Sequence, residues 1–212
     1  MRAAAVLTQV WDANRNHPGA AHYLIHSYDD PVHAPLGLPM ARAYSKIAPA
    51  AAHAQHMTSH IFVAMGMWDD LVAANERAVE IEYRNADESE ATMEASHYVY
   101  WLQYGYLQQG RIGKARKLLE SAQAKLGDGA TQRERMYYGA MYARYIFDSE
   151  RGEHADALAA PEGVEIPSPH YHFTRAFQAI TERDFDLARE RAQRVQAVSG
   201  GNPEVTLSAD VA

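Results

Sequence analysis

One outline, repeated along the chain, restricts what the chain can fold into. In HIFVAMGMWDDLVAANERAVEI a run of small and aromatic residues reaches a glycine, an aromatic residue follows, and a second run places Ala at helical spacing. That outline is a helical hairpin. It returns in HYVYWLQYGYLQQGRIGKARKLLESAQAKL, in GAMYARYIFDSERGEHADALAA and in HYHFTRAFQAITERDFDLARERAQRV. In the first three, Gly66, Gly110 and Gly152 come five residues before Leu71, Ala115 and Ala157, and Arg183 takes the glycine's place in the fourth. Glycine suits the tight turn between packed helices. The expected fold class is all-α, with helix pairs along the whole chain.

Composition narrows the function classes. With 47% hydrophobic and 22% charged residues over 212 positions, the chain can bury a continuous core. No apolar run is long enough to span a bilayer, and the opening MRAAAVLTQVWDANRN turns polar too early for a secretion signal, so no membrane partner and a cytoplasmic location are expected. Cysteine is absent, which removes disulfides and thiolate metal sites and leaves His, Asp, Glu and carbonyls as the ligands for any metal. The net charge is −7 and the cations are dispersed, so no nucleic-acid partner is expected.

The four hairpins resemble the tetratricopeptide repeat (TPR) family, whose antiparallel helix pairs stack into a right-handed solenoid. The resemblance implies a TPR-like α-solenoid as a single domain over residues 1–202, its helix A of each pair lining a concave groove and its helix B on the convex back. The opening AAAVLTQVWDANRNHP reads as a lone helix B within residues 1–18, without a helix A before it. The chain is thus expected either to be a piece of a longer solenoid or to take its first groove helix from another subunit. An exposed N-terminal helix makes a homodimer an expected partner state. The polar stretch NADESEATME reads as a link between repeats, and residues 203–212 as a flexible tail.

Histidines recur in register with this repeat. Counting back 18 residues from Leu71, Ala115 and Ala188 lands on His53, His97 and His170, and His22 follows Pro18 by four residues just as His53 follows Pro49. The segments HYLIH and HMTSH each hold two imidazoles at i and i+4, on one helix face. With 11 histidines in the chain, chance supplies on the order of half such a pair. Neighbouring groove helices lie about 10 Å apart, so His22 and His26 can converge with His53, His56 and His60. The stretches NHPGAAHYLIHSYDDP, HAQHMTSHIFVAMGMWDD and HYVYW resemble a His-rich bacterial subgroup of TPR proteins. No activity comes with that resemblance, but it joins His22, His26, His56 and His60 in one site.

Such a cluster suits a divalent transition metal, zinc foremost, with His22, His26, His53, His56, His60 and His97 as candidate ligands. The glutamate of the HExxH zinc peptidases has no counterpart, so a base would come from Asp29, Asp30 or Tyr23. Asp29 and Asp30 end a helix where acidic residues are unfavourable unless something binds them. Tyr100 and Tyr104 fall on the stripe begun by His97 and are candidate substrate-binding residues. Trp11, Trp68 and Trp101 read as core, and PVHAPLGLP as a Pro-rich connecting loop. Two functions follow: hydrolysis of a small ester or phosphoester by metal-bound water, or a non-enzymatic TPR scaffold holding a peptide or protein in its groove.

Overall fold

The computed structural model describes residues 2–85, 96–127, 129–152 and 155–200; most of the polar link, His154 and the tail 203–212 lie outside the described residues. Among the described residues all regular structure is α-helical, as expected. Two compact units divide the chain, residues 1–91 and 92–212.

The first unit runs α1 (Arg2–Ala13), α2 (Pro18–Ser27), α3 (Ala34–Ile47), α4 (Ala52–Ala64) and α5 (Trp68–Asn85). Helix α1 stops well before residue 18. Asn16 N–H donates to the Asn14 side chain, and His17 caps α2 by accepting from Ala20 N–H, so the chain restarts at Pro18 with its preset φ. The loop expected at PVHAPLGLP is instead the start of α3. Ala34, Gly37, Met40, Ala41 and Tyr44 recur at helical spacing and are buried, and that burial outweighs Pro39 inside the helix. At Gly37 an added Cβ would stand 2.6 Å from Ile61 Cδ1, which shows how closely α3 approaches α4. Helix α2 packs against α4 as well as α3.

The second unit holds α6 (His97–Gln108), α7 (Ile112–Ala124), α8 (Gln132–Ser149), α9 (Pro169–Glu182) and α10 (Phe185–Ser199). Here the third expected hairpin is incomplete: among the described residues after Gly152, 155–168 form turns and extended chain back to α9 in place of the second helix. Pro161 and Gly163 cut the segment too short for a second helix. Side chains take over the task of holding it. Tyr138 Oη donates to Leu158 O, Tyr142 Oη to Ala155 O (3.1 Å), and Gln123 Nε2 to the carbonyls of Ala157 (3.1 Å) and Ala159 (2.7 Å). Trp11 is core, whereas Trp68 and Trp101 are only half-buried.

Three of the inter-helix turns obey one backbone rule. Gly66, Gly110 and Arg183 have φ of 66°, 68° and 63°, and each turn closes with the same pair of bonds, such as Gly110 N–H to Leu107 O and Arg111 N–H to Tyr106 O. Arg183, read from the sequence as a stand-in for glycine, therefore adopts glycine's conformation at a steric cost. Arg183→Gly is expected to raise the thermal midpoint of unfolding, by about 1 kcal/mol of stability, and Gly110→Ala to lower it by a similar amount. Calorimetry of both variants checks this.

Candidate metal centre

Two helices of the first unit carry the site. His17 and Pro18 fix the start of α2, so His22 and His26 stand one turn apart; on α4, His53, His56 and His60 follow the same periodicity. Ala21, Leu24 and Ile25 of α2 are buried, as are Ala54, Met57 and Ile61 of α4, and this packing fixes the two imidazole rows beside each other. Contacts across the pair keep one sequence offset: His22 meets His53 and Asp29 meets His60, each 31 residues apart.

His22 Nε2 lies 3.1 Å from His26 Nε2 and 3.4 Å from His53 Nε2. Two imidazole nitrogens so close either share one proton or turn both lone pairs to a cation. On a tetrahedral zinc, with nitrogens at 2.0–2.1 Å, neighbouring donor nitrogens stand about 3.3–3.4 Å apart. The His22 ring lies nearly parallel to those of Tyr23 and Tyr44, 13° from each, which limits its rotation.

The remaining two imidazoles are oriented from behind. His56, fully buried, sets Nδ1 2.8 Å from Asn75 Oδ1, and Asn75 Nδ2 donates to Leu71 O. That second bond fixes the amide with its oxygen toward the ring. His56 therefore donates from Nδ1 and carries its lone pair on Nε2. His60 donates from Nδ1 to Asp29 Oδ2 at 2.7 Å and is left in the same tautomer. One ring nitrogen of His56 and one of His60 lie within 4.8 Å of each other, compatible with a shared metal. The rings of His26 and His60 have centroids 5.9 Å apart, which closes the group.

Desolvation lowers the pKa of His22, and the charges that His26, His53 and His60 would carry lower it further; His53, although exposed at the surface, is lowered by partial desolvation and then by His26 and His60. Both resist protonation and keep their lone pairs.

Of the expected site residues, the structure brings together His22, His26, His53, His56, His60 and Asp29. Asp29 orients His60. Asp30 serves the turn into α3 instead: its Oδ1 accepts from Val32 N–H and His33 N–H, and His33 Nδ1 donates to its Oδ2 at 2.8 Å. Tyr23 is exposed and stacks on His22. His97, Tyr100 and Tyr104 belong to the second unit, where His97 Nδ1 lies 3.3 Å from Tyr137 Oη and both tyrosine rings lie under Arg144. Asn75 and Tyr44 escaped the sequence reading. For Asn75 a signal existed, a polar side chain in step with Leu71 and Ala78 on the inward stripe of α5.

The fold and the site together define an all-helical protein with a packed group of five imidazoles. No protein-family model matches the chain, and no curated protein matches it.

Because His22 and His53 sit below the ordinary histidine pKa of 6.5 when folded, the unfolded chain binds more protons in acid. Their contribution to stability is whole above about pH 6.5 and is lost as pH falls through the lowered folded values. Metal-free protein should melt at a lower temperature near pH 5 than near pH 7.5, and His53→Gln should flatten that dependence. Thermal denaturation across this range tests it.

Proposed function

We propose that the imidazole group of the first unit holds a divalent transition metal, zinc the best match, and that the protein is a metal-dependent hydrolase of small esters or phosphoesters. The observation that carries the metal is His22 Nε2 standing at donor–donor spacing from two other Nε2 atoms, 3.1 and 3.4 Å away. His22, His26, His53 and His60 are the proposed ligands, with His56 as a further one. Asp29 and Asn75 act behind them, fixing tautomer and ring angle. A bound zinc would supply a water of near-neutral pKa as nucleophile. His26 and His53 are exposed, so the ligand set opens to solvent and to a substrate on that side.

We further propose a TPR-like array as the frame. Support comes from the left-handed turns at Gly66, Gly110 and Arg183, the 31-residue offset between α2 and α4, and the packing of α6 on α8 as α2 packs on α4. Val6 and Val10 of α1 are exposed, and Val6 lines a hollow of about 410 Å³ with Tyr23, which supports pairing of two copies through this face.

Elemental analysis of purified, untagged protein tests the metal. The expectation is near-stoichiometric zinc or another transition metal in the wild type and none in His22→Ala, His53→Ala. Asp29→Asn should weaken metal affinity by roughly 10–100-fold, while Asp30→Asn should leave it unchanged. Turnover of 4-nitrophenyl acetate or phosphate that disappears with chelator and returns with zinc supports the hydrolase. Bound metal without turnover would leave a structural site, and absence of metal uptake would sink the reading in favour of a peptide-binding scaffold.

A further inference from the structure

A second cavity, of about 680 Å³, lies wholly within the second unit, between α6, α8, α9 and α10. That volume is in the range of small-molecule sites. Its walls are aromatic: Phe147 of α8 and Phe173 of α9 have ring centroids 6.2 Å apart, and Tyr100 of α6 lines it too.

Its polar groups are few and already oriented. The Arg144 guanidinium lies 4.2 Å from the ring centroid of Tyr104 and 5.3 Å from that of Tyr100, and Nη2 donates to Tyr100 Oη at 2.7 Å. Cation–π contact with two rings and one hydrogen bond hold the cation in place before any ligand arrives. Asp148, one turn on, forms an ion pair with Nη1 at 3.9 Å, too far for a hydrogen bond. Among the described residues no carboxylate binds the fork through two hydrogen bonds. Tyr100 Oη accepts from Arg144 and so keeps its own proton to donate. Burial raises the pKa of Asp148, and His170, half-buried at the start of α9, has its pKa lowered first by burial and then by the charge of Arg144. At neutral pH the cavity thus holds one cation, one neutral imidazole and one reluctant carboxylate.

We propose that this cavity binds a small organic monocarboxylate on an aromatic or branched apolar body, its carboxylate on Arg144 and Tyr100 and its body packed against Phe147 and Phe173. One cation, its charge already shared with Asp148, can take at most one further negative charge; a phosphate dianion would bring two beside Asp148, with no second Arg or Lys in the lining to offset them. The proposal is independent of the metal reading, since every group it uses is in the second unit.

Titration calorimetry of the full chain at neutral pH tests it, with 4-phenylbutyrate, benzoate and 4-methylpentanoate as probes and the corresponding alcohols as neutral controls. Saturable one-to-one binding of at least one acid is expected, with its alcohol at least about tenfold weaker. Arg144→Gln should weaken the acid by a similar factor and Tyr100→Phe by less, while His22→Ala, His53→Ala leaves it unchanged. Thermal shift on wild-type protein gives a reading that does not depend on how Arg144→Gln folds: the acid should raise the midpoint and the alcohol should not. An alcohol binding as tightly as its acid, equal binding by a folded Arg144→Gln, or no saturable binding of any acid at millimolar concentration would overturn the proposal.

Discussion

Everything at the candidate centre depends on where the protons of five imidazoles sit. A neutral imidazole is donor on one nitrogen and acceptor on the other, so a packed group of them is stable only if each N–H has somewhere to point. Asn75 and Asp29 answer this for His56 and His60 by accepting at Nδ1. Asn75 can do so only because Leu71 O holds its amide by the other end. The constraint reaches from the carbonyl of one helical turn on α5 to the lone pair of a ring on α4, and a buried asparagine that looks like a packing fault is what transmits it.

The same constraint explains why two adjacent acids have different fates. Asp29 and Asp30 both follow the end of α2, where the helix dipole disfavours negative charge. Asp29 is compensated across the helix pair by His60 and Asp30 locally by two backbone N–H groups and His33. A carboxylate that receives hydrogen bonds from a turn holds the chain's direction. One bonded to an imidazole Nδ1 holds that ring's direction. With its acceptor committed in this way, Asp29 is better placed to position a ligand than to take a proton from water.

Periodic features were legible in the sequence, and those set by a single exception were not. Gly66 and Gly110 marked their turns because the left-handed region selects glycine, and Arg183 was found from its place in the repeat although its identity argued against it. The imidazole rows were legible because i, i+3 and i+4 spacing converts directly into a shared face. By contrast, α3 was hidden behind three prolines that usually mean a loop; only the burial of Gly37 and Ala41 against neighbouring helices decides the matter, and burial is not a local property. The missing helix was hidden for the opposite reason, since ADALAA, residues 155–160, has helical composition and is held instead as turns by tyrosine hydroxyls arriving from α8, ahead of Pro161. Asn75 needed its partner's position before it meant anything.

Ligand chemistry narrows which ion such a centre would prefer. Its donors are imidazole nitrogens, with the one carboxylate of the group bonded to His60. Calcium and magnesium favour oxygen ligands, and the softest ions favour thiolates, which this chain cannot offer. Nitrogen donors suit zinc, copper, nickel and iron, and among these geometry and availability decide. Geometry here is graded, because His56 is buried and held by Asn75, whereas His26 and His53 are exposed. Were an ion bound, imidazoles held on the buried side would keep their angle when it left, and those on the solvent side could move to admit water. A centre rigid on one side and yielding on the other is the arrangement that lets a metal exchange its outer ligand without losing its place.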